Sequence, residues 1–292
     1  MSTIAFIGLG NMGRPMASFL QRAGHSLRLY ARRPEVFQQE AKSLVDSGAI
    51  VCHSPKDAAL TADYIITNVI STQDVMQVLC EGPDAVIEGA KSGAICMDHS
   101  TIAPAGTRAI ATALAKRGIG FVDAPVSGGV KAASEGALVM MLGGSDEHVA
   151  KVKELVKHYT KAVTHIGPVG DGQVAKLCNQ IAQVINIEGI AESMRFAAAN
   201  GANLEKVFEA ISGGMAGSRM LDLMGPKMVQ RDFKAGIEAR LHAKDFFLVR
   251  DAAQEAGIDL PALQTVALQL TKLMDSGWGY EDTSSLLRVL EA

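Results

Sequence analysis

The sequence predicts an α/β fold, an N-terminal doubly wound domain followed by an all-α domain. Three observations carry this expectation. Short apolar strands alternate with amphipathic helices through the first half, a glycine-rich turn joins the first strand to the first helix, and strand signals stop at residue 167. Such alternation implies βαβ crossovers and a parallel sheet covered by helices on both faces. The composition shift near "GPVGDG" divides the chain into domains at residues 1–167 and 168–292.

The elements follow in order. Strands are expected at 3–8 ("TIAFIG"), 26–31, 49–52, 64–69, 94–99, 120–125, 137–142 and 162–167, with helices such as 12–23, 34–47 and 104–118 among the early ones. Beyond residue 168 the periodicity is helical throughout: 172–200, 203–212, 217–230, 240–257, 261–276 and 282–291. Turns fall at "NGAN", "SGGMAG" and "RDFKAG". No fixed-period repeat and no low-complexity linker interrupts the pattern.

Composition excludes several classes. The 292 residues suffice for two modest domains, 48% are apolar, and the net charge is −3, which describes a globular protein and not a nucleic-acid binder. The only tight basic cluster is Arg32-Arg33. Cys52, Cys80, Cys96 and Cys178 are dispersed, with no CxxC pair and no histidine grouping, so neither a disulfide framework nor a metal site is expected. A cytoplasmic setting follows. The N-terminus lacks the features of a signal peptide, and no run of about 18 apolar residues is present to span a membrane.

The first strand ends in "GLGNMG", placing Gly8, Gly10 and Gly13 in a G-x-G-x-x-G pattern with Asn11 and Met12 inside the turn. The strand–turn–helix context makes it a phosphate cradle. Gly8 permits the tight turn, Gly10 lets backbone approach a pyrophosphate, and Gly13 allows close helix packing, with the anion on the helix N-terminus. The expected ligand is a nicotinamide dinucleotide. At the end of the second strand the chain reads "LYARRPE". Arg32 and Arg33 stand where an acid would receive a ribose 2′-OH, which favours NADP over NAD, with two solvated arginines as the plain alternative.

Lys176 raises a separate question. It is the one early charge in the apolar stretch "GQVAKLCNQIAQVINIEGIAES", residues 172–193. Such a lysine either snorkels, its stem on apolar surface and its head in water, or points into a cleft where chemistry needs a proton donor.

Four ordered motifs decide between them. "FIGLGNMGRPMA" (6–17), "DAPVSGG" (123–129), "GPVGDGQVAKLCNQ" (167–180) and "KDFFLVRDAA" (244–253) resemble the 3-hydroxyisobutyrate dehydrogenase, or β-hydroxyacid dehydrogenase, family over essentially the whole chain. The later segment "ISGGMAGSRMLDLMGPKMVQRDFKAG" resembles most the tartronate semialdehyde (2-hydroxy-3-oxopropionate) reductase branch. The resemblance implies Lys176 as catalytic acid/base and Ser127, Gly128 and Gly129 as the site of a substrate carboxylate, an anion nest of one hydroxyl and two glycine N–H groups. It implies Asn179, one turn after Lys176, as the residue orienting the substrate hydroxyl. Thr101 would lie beside the nicotinamide ribose and Lys244 near the cofactor. Many relatives have two asparagines where this chain has Asn179-Gln180, which leaves Gln180 without an implied role.

The resemblance thus implies reduction of a short carboxylate-bearing substrate, tartronate semialdehyde to glycerate. 3-Hydroxyisobutyrate, L-serine and succinic semialdehyde remain open. A non-catalytic cofactor-binding scaffold would be expected to lose the lysine or the substrate loop. A 6-phosphogluconate-type decarboxylating enzyme would need a longer C-terminal half and a basic phosphate cluster. The helical tail "GWGYEDTSSLLRVL" resembles the family's and implies a homodimer or homotetramer.

Overall fold

The computed structural model describes residues 1–292, which divide into two compact units, Met1–Lys176 and Leu177–Ala292. The composition shift at residue 167 marks the end of the last strand, whereas the boundary by contacts falls inside a helix.

In the first unit, β1 (Thr3–Ile7), β2 (Ser26–Tyr30), β3 (Ile50–Val51), β4 (Tyr64–Thr67), β5 (Ile95–Asp98) and β6 (Gly120–Asp123) are parallel and lie in the order 3-2-1-4-5-6. This is the doubly wound dinucleotide order, whose direction reverses between β1 and β4. The continuous apolar runs have a simple cause. On β1, Ile4 and Phe6 enter one core with Met16 and Leu20 of α1 (Gly13–Arg22). Ala5 and Ile7 enter a second core on the other face, with Val75 and Leu79 of α4 (Thr72–Leu79) and Ile110 and Leu114 of α5 (Pro104–Ala115). Two buried faces leave no polar side to alternate.

The sheet departs from the expected all-parallel form at its far end. β8 (Leu138–Gly143) runs antiparallel to β6 and to β7 (Val126–Ser127), and β9 (Thr160–Gly167) is parallel to β8. Between β7 and β8 stands only α6 (Gly129–Glu135), and a short return of this kind favours antiparallel pairing, whereas parallel neighbours need a crossover. The helix expected at 34–47 is two pieces, a 3-10 turn Pro34–Phe37 and α2 (Lys42–Asp46). The amide of Ala41 folds back onto the Val36 carbonyl at 2.8 Å, which ends the first turn. Two further helices, α3 (Pro55–Ala59) and α7 (Asp146–Val156), open on serine caps at Ser54 and Ser145.

In the second unit α8 (Asp171–Ala199) continues from the first, followed by α9 (Leu204–Ser212), α10 (Arg219–Gln230), α11 (Ala239–Glu255), α12 (Pro261–Asp275) and α13 (Leu286–Val289). Its core joins Val184, Ile187 and Met194 of α8 to Phe246 of α11 and Leu270 and Leu273 of α12. The helix expected over 282–291 opens as a 3-10 turn, Thr283–Ser285, because the buried Asp282 carboxylate accepts from the amides of Ser284 (3.1 Å) and Gly236 (2.8 Å). No helix is long and apolar enough to cross a membrane.

Candidate active site

The glycine turn is built as three different solutions. Gly8 has φ +99°, and a Cβ there would overlap the Asn68 carbonyl oxygen. A Cβ on Gly13 would overlap the Gly8 carbonyl and meet the Phe6 ring at 3.2 Å, so α1 can press against β1 only with glycine at this position. A Cβ on Gly10 would meet nothing within 4 Å. Gly8 and Gly13 are required by the fold, whereas Gly10 faces open space. α1 begins at Gly13 behind Met12, with no side-chain cap and no acid in its first turn. Its dipole end, beside the open Gly10, is free of a compensating side chain, which suits an external anion. Arg14 reaches back over the turn, donating to Asn11 Oδ1 at 3.1 Å and to the Leu9 carbonyl at 3.4 Å.

This turn borders a cleft of about 510 Å³ at the carboxyl ends of β1, β2 and β4, lined by Gly8, Gly10, Arg32, Arg33, Asn68 and Asp74 among others. Arg32 is 78% exposed and pairs with Asp74 at 3.3 Å. An exposed pair of this sort is worth roughly 0–1 kcal/mol, so the guanidinium is easily drawn to a stronger anion. The cleft lies at the switch point of the sheet, the position where such folds take a dinucleotide, and its size, open glycine and cationic rim fit one. No group of three or more His, Cys, Asp or Glu is arranged to hold a metal ion.

Beyond β5 the segment 98–102 is heavily tied. Asp98 Oδ1 accepts from Thr67 Oγ1 (2.8 Å), Ser100 Oγ (2.6 Å) and the Ser100 amide (3.1 Å), while Oδ2 has no partner. Full burial pushes its pKa up to about 6. Ser100 Oγ also accepts from the Val69 amide at 2.9 Å, joining this segment to the cleft wall. His99 is fixed between the Ala124 carbonyl and Tyr159 Oη, both at 2.9 Å, and burial lowers its pKa to about 4. Thr101 lies between these anchored neighbours.

Asp123, at the end of β6, accepts from the amides of Gly170 and Gln173 at 2.8 Å each and so caps the start of α8. Burial raises its pKa to about 6, even though both amide bonds favour the ionised form. Gln173, fully buried, donates from Nε2 to the Ser100 carbonyl (2.8 Å) and accepts on Oε1 from the Ile102 amide (3.2 Å). Lys176, one turn further along α8, is 8% exposed. Ser127 ends β7, and Gly128 (φ +132°) and Gly129 (φ +67°) turn into α6. A Cβ on Gly128 would also meet Ala132 Cβ at 2.5 Å, whereas Gly129 faces open space.

In the second unit Asn179 Nδ2 donates to Gln180 Oε1 (2.9 Å), and Gln180 Nε2 donates to Asp245 Oδ2 (2.8 Å). The other Asp245 oxygen pairs with Lys244 Nζ at 2.7 Å. Gln180, left open by the sequence, thus links Asn179 to the Asp245–Lys244 pair. Asp98, Asp123, Gln173 and Asp245 were not read from the sequence. Acids closing otherwise apolar strands ("ICMD", "GFVD") were the available signal for the first two.

Comparison with known proteins bears on this geometry. A family model described as the NAD binding domain of 6-phosphogluconate dehydrogenase matches residues 3–167, and one described as NAD-binding of NADP-dependent 3-hydroxyisobutyrate dehydrogenase matches residues 170–290. The chain is 35% identical over 288 residues to the 2-hydroxy-3-oxopropionate reductase of Escherichia coli strain K12, spanning 99% of this chain and 97% of that protein. It is 33% identical over 299 residues to the NAD-dependent L-serine dehydrogenase of Pseudomonas aeruginosa, spanning 100% and 98%. The structure of Mycobacterium tuberculosis 3-hydroxyisobutyrate dehydrogenase with L-serine superposes with a TM-score of 0.90 at 29% identity, covering both chains fully.

Two outcomes follow from the site. Gly13→Ala is expected to cost about 1–3 kcal/mol of stability through overpacking, whereas Gly10→Ala leaves the melting temperature nearly unchanged and weakens dinucleotide binding about tenfold or more. Thermal melts with NADPH titrations check both, and equal melting losses would remove the distinction. Asp98 titrates near 6 when folded against an ordinary 3.8, so the folded state holds the extra proton in that window. Its contribution is therefore fully present below about 3.8 and lost as pH rises through about 6. Urea melts should show wild type losing stability relative to Asp98→Asn across that range, by about 2–3 kcal/mol. A pH-independent difference would contradict the burial argument.

Proposed function

The chain belongs to the 3-hydroxyisobutyrate dehydrogenase, or β-hydroxyacid dehydrogenase, family, and we propose that it reduces tartronate semialdehyde to glycerate with NADPH. As a member it is an NAD(P)-dependent dehydrogenase acting on hydroxy acids. Lys176 carries the reading: a lysine 8% exposed, on a helix whose first turn is fixed by Asp123 and Gln173. That investment in one ammonium group is unexplained in a scaffold that only binds cofactor.

Each residue has a physical task in this reading. Gly8, Gly10, Asn11, Met12 and Gly13 hold the pyrophosphate at the start of α1, and Arg32 and Arg33 receive the 2′-phosphate. The reduced cofactor, when bound, supplies hydride to the carbonyl carbon. Thr101 stands beside the nicotinamide ribose, and Lys244, steadied by Asp245, lies near the cofactor. Ser127 Oγ and the amides of Gly128 and Gly129 anchor the substrate carboxylate. Asn179 orients the substrate hydroxyl, its amide held by Gln180. Lys176 Nζ donates a proton to the oxygen that gains charge, and its amine accepts one in reverse. General-acid help of this kind is worth roughly 10²–10⁴-fold.

The 35% identity to a 2-hydroxy-3-oxopropionate reductase over nearly both chains supports the substrate, and the arginine pair supports NADP. 3-Hydroxyisobutyrate and L-serine are the second reading, favoured by relatives of those names at 34% and 33% identity. We infer a cytoplasmic homodimer or homotetramer, on the resemblance of the C-terminal tail.

A spectrophotometric screen of NADPH and NADH oxidation tests the reading. Tartronate semialdehyde should be preferred over glycolaldehyde, which lacks the carboxylate, by on the order of 10⁴ in kcat/KM. Lys176→Met should keep fold and NADPH affinity while kcat falls at least about 100-fold. Near-equal rates on glycolaldehyde, or more than a tenth of wild-type kcat in Lys176→Met, would overturn it. Separately, Arg32→Ala with Arg33→Ala should weaken NADPH by about 10-fold or more per lost contact and spare NADH. An equal loss for both cofactors would make these arginines ordinary surface charges.

A further inference from the structure

We propose that Gln173 is a positioning residue whose carboxamide clasps the backbone on both sides of Thr101 and so sets that segment's offset from Lys176. The inference rests on the roles proposed for Thr101 and Lys176. Its geometry lies wholly within the first unit. Gln173 donates to the carbonyl of Ser100 at 2.8 Å and accepts from the amide of Ile102 at 3.2 Å, so Thr101 is bracketed by the two bonds.

The clasp is held at both ends. On the helix side, the Gln173 amide donates to Asp123 Oδ2 at 2.8 Å, which fixes the first turn of α8 to the end of β6. On the segment side, Ser100 is tied to Asp98 at 2.6 Å and to the Val69 amide at 2.9 Å, and Ile102 is fully buried. Three residues of helix, a rise of about 4.5 Å, separate Gln173 from Lys176. A shift of the clasp therefore moves the backbone of Thr101 relative to the backbone that carries the lysine.

The chemistry of the site selects glutamine. One carbonyl and one amide must be satisfied at once, which requires a donor and an acceptor on a single planar group. Glutamate keeps the acceptor for Ile102 but sets an oxygen against the Ser100 carbonyl. Methionine fills the volume and satisfies neither, leaving two buried backbone groups unpaired. Asparagine carries both functions on a side chain one methylene shorter.

The test compares Gln173→Glu, Gln173→Met and Gln173→Asn with Lys176→Met. Hydrogen exchange reads the clasp without turnover: exchange over 100–103 should quicken in Gln173→Met while β4 stays protected. Displacements near 1 Å can cost on the order of 10²-fold in rate, so kcat per NADPH-binding site should fall about 10–100-fold with KM changed less than about threefold. The isotope effect with 4-deuterated NADPH should rise, because hydride transfer becomes the slow step. Gln173→Glu should be impaired as well, because its buried carboxylate keeps the Ile102 bond but opposes the Ser100 carbonyl. Unchanged exchange and isotope effect, or lost activity tracking only lost NADPH sites, overturns the proposal, as does failure of the glutamate and methionine variants to fold. An active Lys176→Met beside an impaired Gln173→Met would sink the lysine assignment and spare the clasp. The reverse pattern would sink the clasp alone.

Discussion

One buried carboxylate governs the candidate site. Asp123 closes β6 and accepts two amides, Gly170 and Gln173, from the start of a 29-residue helix. The two bonds and the positive helix end compensate in part a charge that burial opposes, and burial still pushes the pKa up to about 6. Space for the carboxylate is made by glycine. A Cβ on Gly143 would approach Asp123 Oδ1 at 2.5 Å, and one on Gly172 would approach Oδ2 at 2.7 Å. Remove the acid, and the first turn of α8 loses the reference that aligns Gln173 and, one turn later, Lys176.

The helix starts fall into two groups, those closed by a serine or asparagine cap and those left without a side-chain cap. α3, α4 and α7 begin on Ser54, Ser71 and Ser145, each accepting a first-turn amide, and each carries an acid in that turn. α4 closes a full capping box between Ser71 and Asp74. α1 has neither cap nor acid. α2, α5, α6, α11 and α12 share that bare start, so what sets α1 apart is the open Gly10 and the cleft beside it, where an anion would complete the free amides. Asp74 does double duty, capping α4 and holding Arg32 at the cleft rim.

Legibility followed the range of the interaction. β1 and the glycine turn were readable because apolar runs and G-x-G-x-x-G are local patterns, and Gly8 and Gly13 meet the tight turn and close packing expected of them. The second-unit helices were readable by period. β8 was readable as a strand, but its antiparallel direction was not, because that depends on the short α6 return and not on its own residues. Asp123 and Gln173 were unreadable as a cap and a clasp, since their partners lie 47 to 73 residues away. Gln180 was left open for the same reason: its contact with Asp245 spans 65 residues. The sequence shows which residue types are present, whereas these roles exist only once the sheet ends and helix starts meet.

The remaining question of substrate has a compact chemical form. Glycerate, 3-hydroxyisobutyrate and L-serine all share a hydroxymethyl group, a central carbon and a carboxylate; they differ in one substituent, hydroxyl, methyl or ammonium. The carboxylate nest and proton-donating lysine proposed above would act on what is common to the three, so those elements cannot discriminate among them. Relatives bearing all three names at 33–35% identity are what that chemistry leads one to expect. Discrimination must come from the few groups around the central substituent. A wall that hydrogen-bonds the hydroxyl would leave its own polar atoms unpaired against a methyl group, a large penalty, whereas an apolar wall would reject the hydroxyl by only about 100-fold. Selectivity among these acids is therefore set by whether one buried polar partner stands beside the central substituent.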